Sequence, residues 1–103
     1  MYLNKKLKEL HLSVAKAIES LFSERIAEFY GALFEHYSKA EHKDKAINYA
    51  LKAGENAQKR YANMEAISSY LYVLKELKPS SEENRKIVFD TMCRLGSINS
   101  KIG

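Results

Sequence analysis

Four side chains in this sequence have the chemistry to bind a transition metal: His11, His36, His42 and Cys93. Two histidines on one helix hold a metal when they are four residues apart, often with an acidic residue between them, because both rings then lie on one face. His36 and His42 are six residues apart, and His11 is far from both in the sequence. We therefore predict no metal site, and we expect the histidines at the surface or at helix interfaces.

The single cysteine limits the covalent chemistry of the chain. Cys93 would act as a nucleophile only beside an oriented base, and a small residue within a helical segment is typical of an inert thiol. One cysteine cannot form an internal disulfide, so nothing indicates an oxidising compartment. The segment 1–12 alternates leucine with charged residues, unlike a signal peptide, and no stretch approaches the roughly 18 apolar residues of a membrane span. We expect a cytoplasmic protein with no membrane partner.

Neither the glycines nor the carboxylates form a catalytic or cofactor-binding pattern. Gly54 and Gly96 stand alone within helical segments, where close helix packing explains them, and the sequence has no glycine-rich phosphate loop. The adjacent Glu82 and Glu83 are explained as first-turn charges that complement a helix dipole. We predict that the chain is not an enzyme, that it has no catalytic residue and that it needs no cofactor.

The seven tyrosines and the net charge of +4 raise the question of nucleic-acid binding. Aromatic side chains in a basic groove are typical of proteins that bind single strands. The helical spacing of the tyrosines instead favours positions in a core or a groove; these are Tyr30, Tyr37, Tyr49, Tyr70 and Tyr72. Basic residues alternate with glutamate along most of the chain, and the one local excess is Lys5, Lys6 and Lys8. A basic helical nucleic-acid-binding domain is kept as the alternative function.

Five amphipathic helices are predicted from apolar positions that recur at three- and four-residue steps and from capping residues. They cover about residues 3–22, 24–40, 44–60, 63–78 and 81–101. Ser23 is the predicted N-cap of the second helix, Pro79 ends the fourth, and Ser80 opens the fifth in a capping box with Glu83. In the first helix the stripe on one face consists of Leu3, Leu7, Leu10, Val14, Ala17, Ile18 and Leu21. Short connections predict antiparallel neighbours, and a length of 103 residues predicts one domain, 1–103.

The third predicted helix differs from the others because small residues line one side of it. These residues are Ala46, Ala50, Ala53, Gly54 and Ala57. Small side chains let neighbouring helix axes approach closely. We therefore expect this helix to lie inside a stack, with a helix on each side.

In its spacing the chain resembles the tetratricopeptide (TPR) repeat, a hairpin of helix A and helix B. Residues at helix A positions are Tyr30, Leu33, Phe34 and Tyr37, and those at helix B positions are Ala46, Ala50 and Ala53. Phe34 stands where the family usually has glycine, and Ala50 where it usually has an aromatic residue. A second frame begins at Gly54 and continues to Ala66 and Val73, so the third helix would serve two repeats. A third frame begins at Leu95 and Gly96.

The order of several segments resembles one group within that family, the TPR-like regions C-terminal to the catalytic part of bacterial multidomain ATPases and nucleotide cyclases. The segments are 10–15, 37–40, 52–55 and 61–63. The resemblance implies an all-α fold of about five antiparallel helices stacked as a right-handed superhelix. It also implies a fragment of a longer protein with a regulatory or signalling role, to which no catalytic activity carries over.

The function that the resemblance implies is that of a non-catalytic protein–protein interaction scaffold. Its partner would be another protein or a domain of its own parent chain. Residues expected to project near a concave groove are Glu28, Glu35, Lys39, Asn48, Glu55 and Lys59. The lysine, asparagine and arginine of the TPR grooves that clamp a C-terminal carboxylate are replaced by Gly31, Ala32 and Glu35, so that ligand is not predicted. The fifth helix carries an apolar stripe without a polar cap, which predicts a homodimer through its open face.

Overall fold

The computed structural model describes the backbone of residues 2–102 and the side chains of residues 5–98. Within residues 2–102 the chain is all-α and contains no strand. Its elements are α1 (Tyr2–Leu21), a 3₁₀ segment (Ser23–Phe29), α2 (Tyr30–Lys39), α3 (Lys43–Lys59), α4 (Asn63–Glu76) and α5 (Glu82–Ile102). The predicted all-α class and the five helices are confirmed. No helix of residues 2–102 is both long enough and apolar enough to cross a membrane.

The second helix begins at Tyr30, so the prediction that it begins at residue 24 is wrong. Residues 23–29 form a 3₁₀ segment with a non-helical backbone at Arg25, and Ser23 does not cap it, because its N-cap is Phe22 without a side-chain hydrogen bond. The rings of Phe22 and Phe29 stack with centroids 4.6 Å apart. In a continuous α-helix, residues seven positions apart are separated by about 10 Å along the axis, which is too far for their rings to stack. The stacking of Phe22 on Phe29 therefore favours a compact connection over a continuous α-helix.

The boundary between α4 and α5 also differs from the predicted one. The fourth helix was expected to reach residue 78 but ends at Glu76, because Leu77 is already extended two residues before Pro79. The capping residue of α5 is Ser81 instead of Ser80. Its Oγ accepts a hydrogen bond from the backbone N–H of Asn84 at 3.1 Å.

The two turns that flank α3 have the same conformation. Glu41 and Tyr61 take positive φ angles of 61° and 59°, immediately after α2 and α3 respectively. In each turn the following amide closes the helix end: His42 N–H donates to the Tyr37 carbonyl at 3.0 Å, and Ala62 N–H donates to the Ala57 carbonyl at 2.8 Å. Both are Schellman turns formed without glycine. They reverse the chain, so that α2 and α4 both pack along α3.

Helix α3 is the centre of the fold, as its small residues predicted. Its interfaces with α2 and α4 are the most extensive in the molecule. Ala46, Ala50 and Ala57 are buried there, and Gly54 lies beneath the ring of the buried Tyr70 on α4. The hydroxyl of Tyr70 donates to Gln58 Oε1 at 2.7 Å. The prediction that Gly96 serves close packing is wrong, because a β-carbon there would meet no atom within 4 Å.

The apolar stripe of α1 lies mostly away from the core. The face that contacts the other helices carries Leu12, Ala15 and Ile18, with Ala15 fully buried. Of the predicted stripe only Ile18 belongs to this face. Leu7, Leu10 and Leu21 are 53%, 58% and 75% exposed, and the side chain of Leu3 lies outside the described residues. Equal spacing places residues on one face of a helix but does not say which face the fold covers.

Candidate binding groove

An open groove of about 690 Å³ lies between α2 and α4, with α3 as its floor. The 3₁₀ segment and α2 contribute Ala27, Glu28, Tyr30, Gly31, Ala32, Phe34, Glu35, Ser38 and Lys39. Ala53, Asn56 and Arg60 come from α3 and its C-terminal turn, and Met64, Glu65, Ser68 and Ser69 from α4. Tyr72 meets Phe34 edge to face at 4.8 Å, which brings α2 and α4 together beyond Ser69.

The lining combines apolar surface with hydroxyl groups. The aromatic side chains of Tyr30 and Phe34 are partly buried, and Met64 is 79% exposed. Methionine is flexible and polarisable, and it is frequent at surfaces that adapt to their partners. Ser38 and Ser68 supply hydroxyl groups nearby. The walls are therefore mixed, with polar and charged side chains at least as numerous as apolar ones.

The charged residues of the groove are already paired with one another or with neighbours. The Glu28 carboxylate accepts from Arg25 Nε at 2.6 Å, and Glu35 accepts from Lys39 Nζ at 3.1 Å. These cationic donors lower the pKa of both glutamates below the ordinary value, so both are ionised at neutral pH. On the opposite rim Arg60 pairs with Glu65 at 3.1 Å. Exposed pairs of this kind are weak, so a partner's charges can exchange with them.

Three of the six predicted groove residues line this groove, and three do not. Glu28, Glu35 and Lys39 belong to its lining. Glu55 instead faces α5, where its carboxylate lies 3.3 Å from the guanidinium of Arg94. The remaining two, Asn48 and Lys59, are exposed on α3 outside the lining.

The register of α3 explains this division. The groove floor takes Ala53, Asn56 and Arg60, which follow one another at steps of three and four residues and so share a face. Sequence reasoning gave α3 two roles, helix B of one repeat and helix A of the next, and the residues that it selected there (Asn48, Glu55 and Lys59) lie outside the face of Ala53, Asn56 and Arg60. The same assignment missed Met64 and Glu65 on α4, although α4 forms one wall.

A half-buried polar cluster joins α1 to α2 and α3. Both oxygens of Glu19 accept hydrogen bonds, one from the hydroxyl of Tyr37 and the other from that of Tyr49. Lys45 Nζ lies 3.3 Å from the same carboxylate, and the two tyrosine rings stack in near-parallel planes with centroids 5.7 Å apart. The Glu19 carboxylate of α1 is therefore bonded to side chains of both α2 and α3.

Ionisation states in this cluster follow from its hydrogen bonds. Burial alone would raise the pKa of Glu19, but the bonds from Tyr37, Tyr49 and Lys45 outweigh burial and lower the pKa. Burial and the nearby carboxylate raise the pKa of both tyrosines. At neutral pH the glutamate is ionised and both hydroxyls keep their protons. The cluster thus positions α1 and offers no free base.

Two histidines that sequence reasoning placed far apart are hydrogen-bonded in the structure. Nδ1 of His11 lies 2.9 Å from Nδ1 of His36, which joins the middle of α1 to α2. Their separation of 25 residues gives no local signal in the sequence. Among residues 5–98, no group of three or more histidine, cysteine or acidic side chains is arranged to hold a metal. Cys93 is exposed.

The groove thus combines apolar side chains, hydroxyl groups and paired charged side chains of both signs. No protein-family model, no curated protein and no solved structure matches this chain. The interpretation of the groove accordingly rests on its own residues and on their contacts.

Proposed function

We propose that this chain is a non-catalytic interaction module that binds a segment of another protein, or of its own parent chain, in the groove between α2 and α4. The open groove over α3 is the observation that carries the proposal. Its volume of about 690 Å³ lies within the range of roughly 300–1,000 Å³ that is usual for binding pockets. An open shape with two helical walls fits a peptide better than an enclosed small molecule.

The chemistry of the walls narrows the kind of segment. Phe34 and Met64 provide apolar surface for one or two apolar side chains of the ligand. Glu35 and Lys39 on one rim, with Arg60 on the other, provide charges of both signs. A segment with an apolar side chain between charged residues of both signs meets these groups, whereas a uniformly charged ligand would meet a like charge on each rim.

A TPR-like arrangement is part of this proposal. The alternation of helices supports it, because α3 lies between α2 and α4 and carries the small residues that allow close approach. In this arrangement α2 and α4 are the A helices of a right-handed superhelix and α3 is a B helix, whereas the second frame in the sequence made α3 an A helix with α4 as its B helix. A regulatory role within a longer cytoplasmic protein belongs to the same proposal, and it rests on the resemblance of the sequence.

Selection of peptides from a random displayed library, followed by NMR mapping on the folded chain, tests the proposal. Gly31 lines the groove, and a β-carbon there would meet no atom within 4 Å, so Gly31→Gln adds a side chain at the groove without a clash at its β-carbon. Gly96→Gln on α5 is the matched control, because Gly96 is equally open and lies outside the lining. We expect selected peptides to shift amides of α2 and α4 and to bind Gly31→Gln at least about tenfold more weakly.

Two results would overturn the proposal. The first is a set of selected peptides whose affinity is unchanged by Gly31→Gln. The second is binding of a DNA or RNA oligonucleotide with a steep salt dependence and no peptide binding, which would favour the alternative function. Part of the basic surface is neutralised, since Lys8 pairs with Glu41 and Lys45 with Glu19. We therefore expect the affinity of the chain for an oligonucleotide to be low.

A further inference from the structure

Helix α1 presents a second apolar face that the rest of residues 5–98 leaves largely exposed, with Val14 half-buried. Its members follow one another at alternating steps of three and four residues: Leu7, Leu10, Val14, Ala17 and Leu21. This is the spacing of the a and d positions of a heptad repeat, which forms the seam of a coiled coil. Three leucines of the seam are more than half exposed, and Ala17 is exposed as well.

The seam and the core-facing side of α1 are distinct. Successive residues turn by about 100° around a helix, so Leu10 lies about 140° or more from Leu12 and Ala15, whereas Leu7 lies beside Ile18 at the border of the two faces. The interface with α2 and α3 is complete without the seam, because Ala15, Ile18 and Glu19 supply its apolar and polar contacts. α1 is thus held in place by one face and leaves a coiled-coil face unpartnered.

We infer that this seam docks a second copy of the chain, α1 against α1, in an antiparallel pair related by a two-fold axis. Such a pair is self-complementary over two layers, since a two-fold axis at the level of residue 12 matches residue 10 with residue 14 and residue 7 with residue 17. Leu10 meets Val14 of the second copy, and Leu7 meets Ala17 of the second copy. Both of these layers join a leucine to a smaller residue, which is the interdigitation that a closely packed helix pair requires.

Charge favours the antiparallel direction. The cluster of Lys5 and Lys6 lies near the N-terminus of α1, where Lys8 is already paired with Glu41, and the last turn of α1 has no basic residue. A parallel pair would place the two lysine clusters side by side. An antiparallel pair places each cluster beside the C-terminal end of the other α1, where the helix dipole is negative and Glu24 follows.

The open face of α5, which the sequence suggested for self-association, has a smaller exposed apolar surface than the α1 seam. Phe89 and Met92 are exposed there, at 67% and 58%. The same spacing continued in either direction meets Arg85 and Gly96, so the apolar surface ends after two side chains. The α1 seam is longer and carries no charged residue at its core positions.

Sedimentation equilibrium of the whole chain between about 1 µM and about 1 mM tests the inference. We expect a monomer–dimer equilibrium that Leu10→Glu weakens by at least about tenfold, because two carboxylates would enter the centre of the interface. Ala17→Glu should act similarly, and Phe89→Glu on α5 should leave the equilibrium unchanged. Leu10 and Ala17 are exposed in the single chain, and circular dichroism checks that each variant keeps its helices.

Distances between spin labels test the direction of the pair. A Cys93→Ser background removes the exposed native thiol, and a label is then attached at Ser13→Cys or Ser20→Cys, both of which replace exposed residues. In the antiparallel pair the two labels at residue 20 lie about 24 Å apart along the axis, and those at residue 13 about 3 Å apart. In a parallel pair both separations would be similar.

Three outcomes would overturn the inference: a monomer throughout the concentration range, dissociation by Phe89→Glu instead of Leu10→Glu, or equal label distances at residues 13 and 20. None of them bears on the groove, because peptide affinity and its loss in Gly31→Gln are measured on a separate surface. Failure of the dimer and failure of the proposed function are therefore distinguishable.

Discussion

The ring of Tyr70 lies so close to Gly54 that a β-carbon on residue 54 would lie 2.5 Å from Cε1 of the ring. The nearest atoms belong to the rigid ring, and Tyr70 is fully buried, so the ring has little room to move. This contact sets how closely α4 approaches α3. Any side chain at residue 54 would force the two helices apart.

We expect Gly54→Ala to destabilise the fold by about 1–3 kcal/mol, because overpacking a core outweighs the gain in helix propensity. Gly31→Ala and Gly96→Ala are the controls. Both add a β-carbon in open space within a helix and should stabilise by about 0.5–1 kcal/mol. Urea unfolding of the three variants measures the difference. Equal effects in all three would contradict the close contact, and adding Tyr70→Leu to Gly54→Ala should give less than the sum of the two losses.

Glu19→Gln should lower stability at neutral pH by about 1–2 kcal/mol, because an amide replaces the ionised acceptor of two tyrosine hydroxyls. The pKa of Glu19 in the folded chain lies below its ordinary value of 4.5. Its ionised form therefore contributes stability above about pH 4.5, and that contribution is lost as the pH falls through the folded-state pKa.

The test of the Glu19 prediction is urea unfolding of both proteins at pH 7 and pH 3. The difference between wild type and Glu19→Gln should shrink at pH 3. Exposed glutamates such as Glu28 and Glu35 also have lowered pKa values, so the variant should keep a smaller acid dependence of its own. A difference that stays constant from pH 7 to pH 3 would refute the role assigned to the carboxylate.

Tyr61→Gly should stabilise the chain by about 0.5–1 kcal/mol, since glycine adopts a positive φ without steric strain. The side chain of Tyr61 is exposed and loses little on removal. Glu41→Gly relieves the same strain but removes the ion pair with Lys8, so its gain should be smaller. Thermal unfolding of both variants checks the order. A loss of stability in Tyr61→Gly would show that its ring has a structural role.

Ser81→Ala should cost about 1 kcal/mol, because the Oγ of Ser81 caps α5 through the amide of Asn84. Ser80→Ala should have little effect, although the sequence pattern assigned the cap to Ser80. Chemical denaturation of the two single variants decides between the residues. A larger loss of stability in Ser80→Ala than in Ser81→Ala would support the capping box of residues 80–83 instead.

Sequence alone predicts the helices best where local signals suffice. The small residues of α3 indicated a helix between two others, and this holds for Ala46, Ala50 and Ala57. The 3₁₀ segment could not be predicted in the same way. It depends on the stacking of Phe22 on Phe29, a contact that exists only when the chain leaves the α-helical path that the apolar spacing favours.

The candidate site is predicted less completely, because a groove is a relation between helices. Residues on α2, such as Glu35 and Lys39, were identified from the repeat pattern. The α4 wall with Met64 was missed, since the pattern does not state which of α3 and α4 faces the opening. The hydrogen bond between His11 and His36 was missed for the same reason.

The order in which the helices contact one another has a kinetic consequence. Each extensive interface joins neighbours along the chain, from α1 with α2 to α4 with α5. Few distant segments must meet before stabilising contacts form, and chains with such local topology fold within microseconds to milliseconds. Because the α3–α4 hairpin has the largest interface and a short Schellman turn, we expect it to form first and α2 and the outer helices to pack onto it.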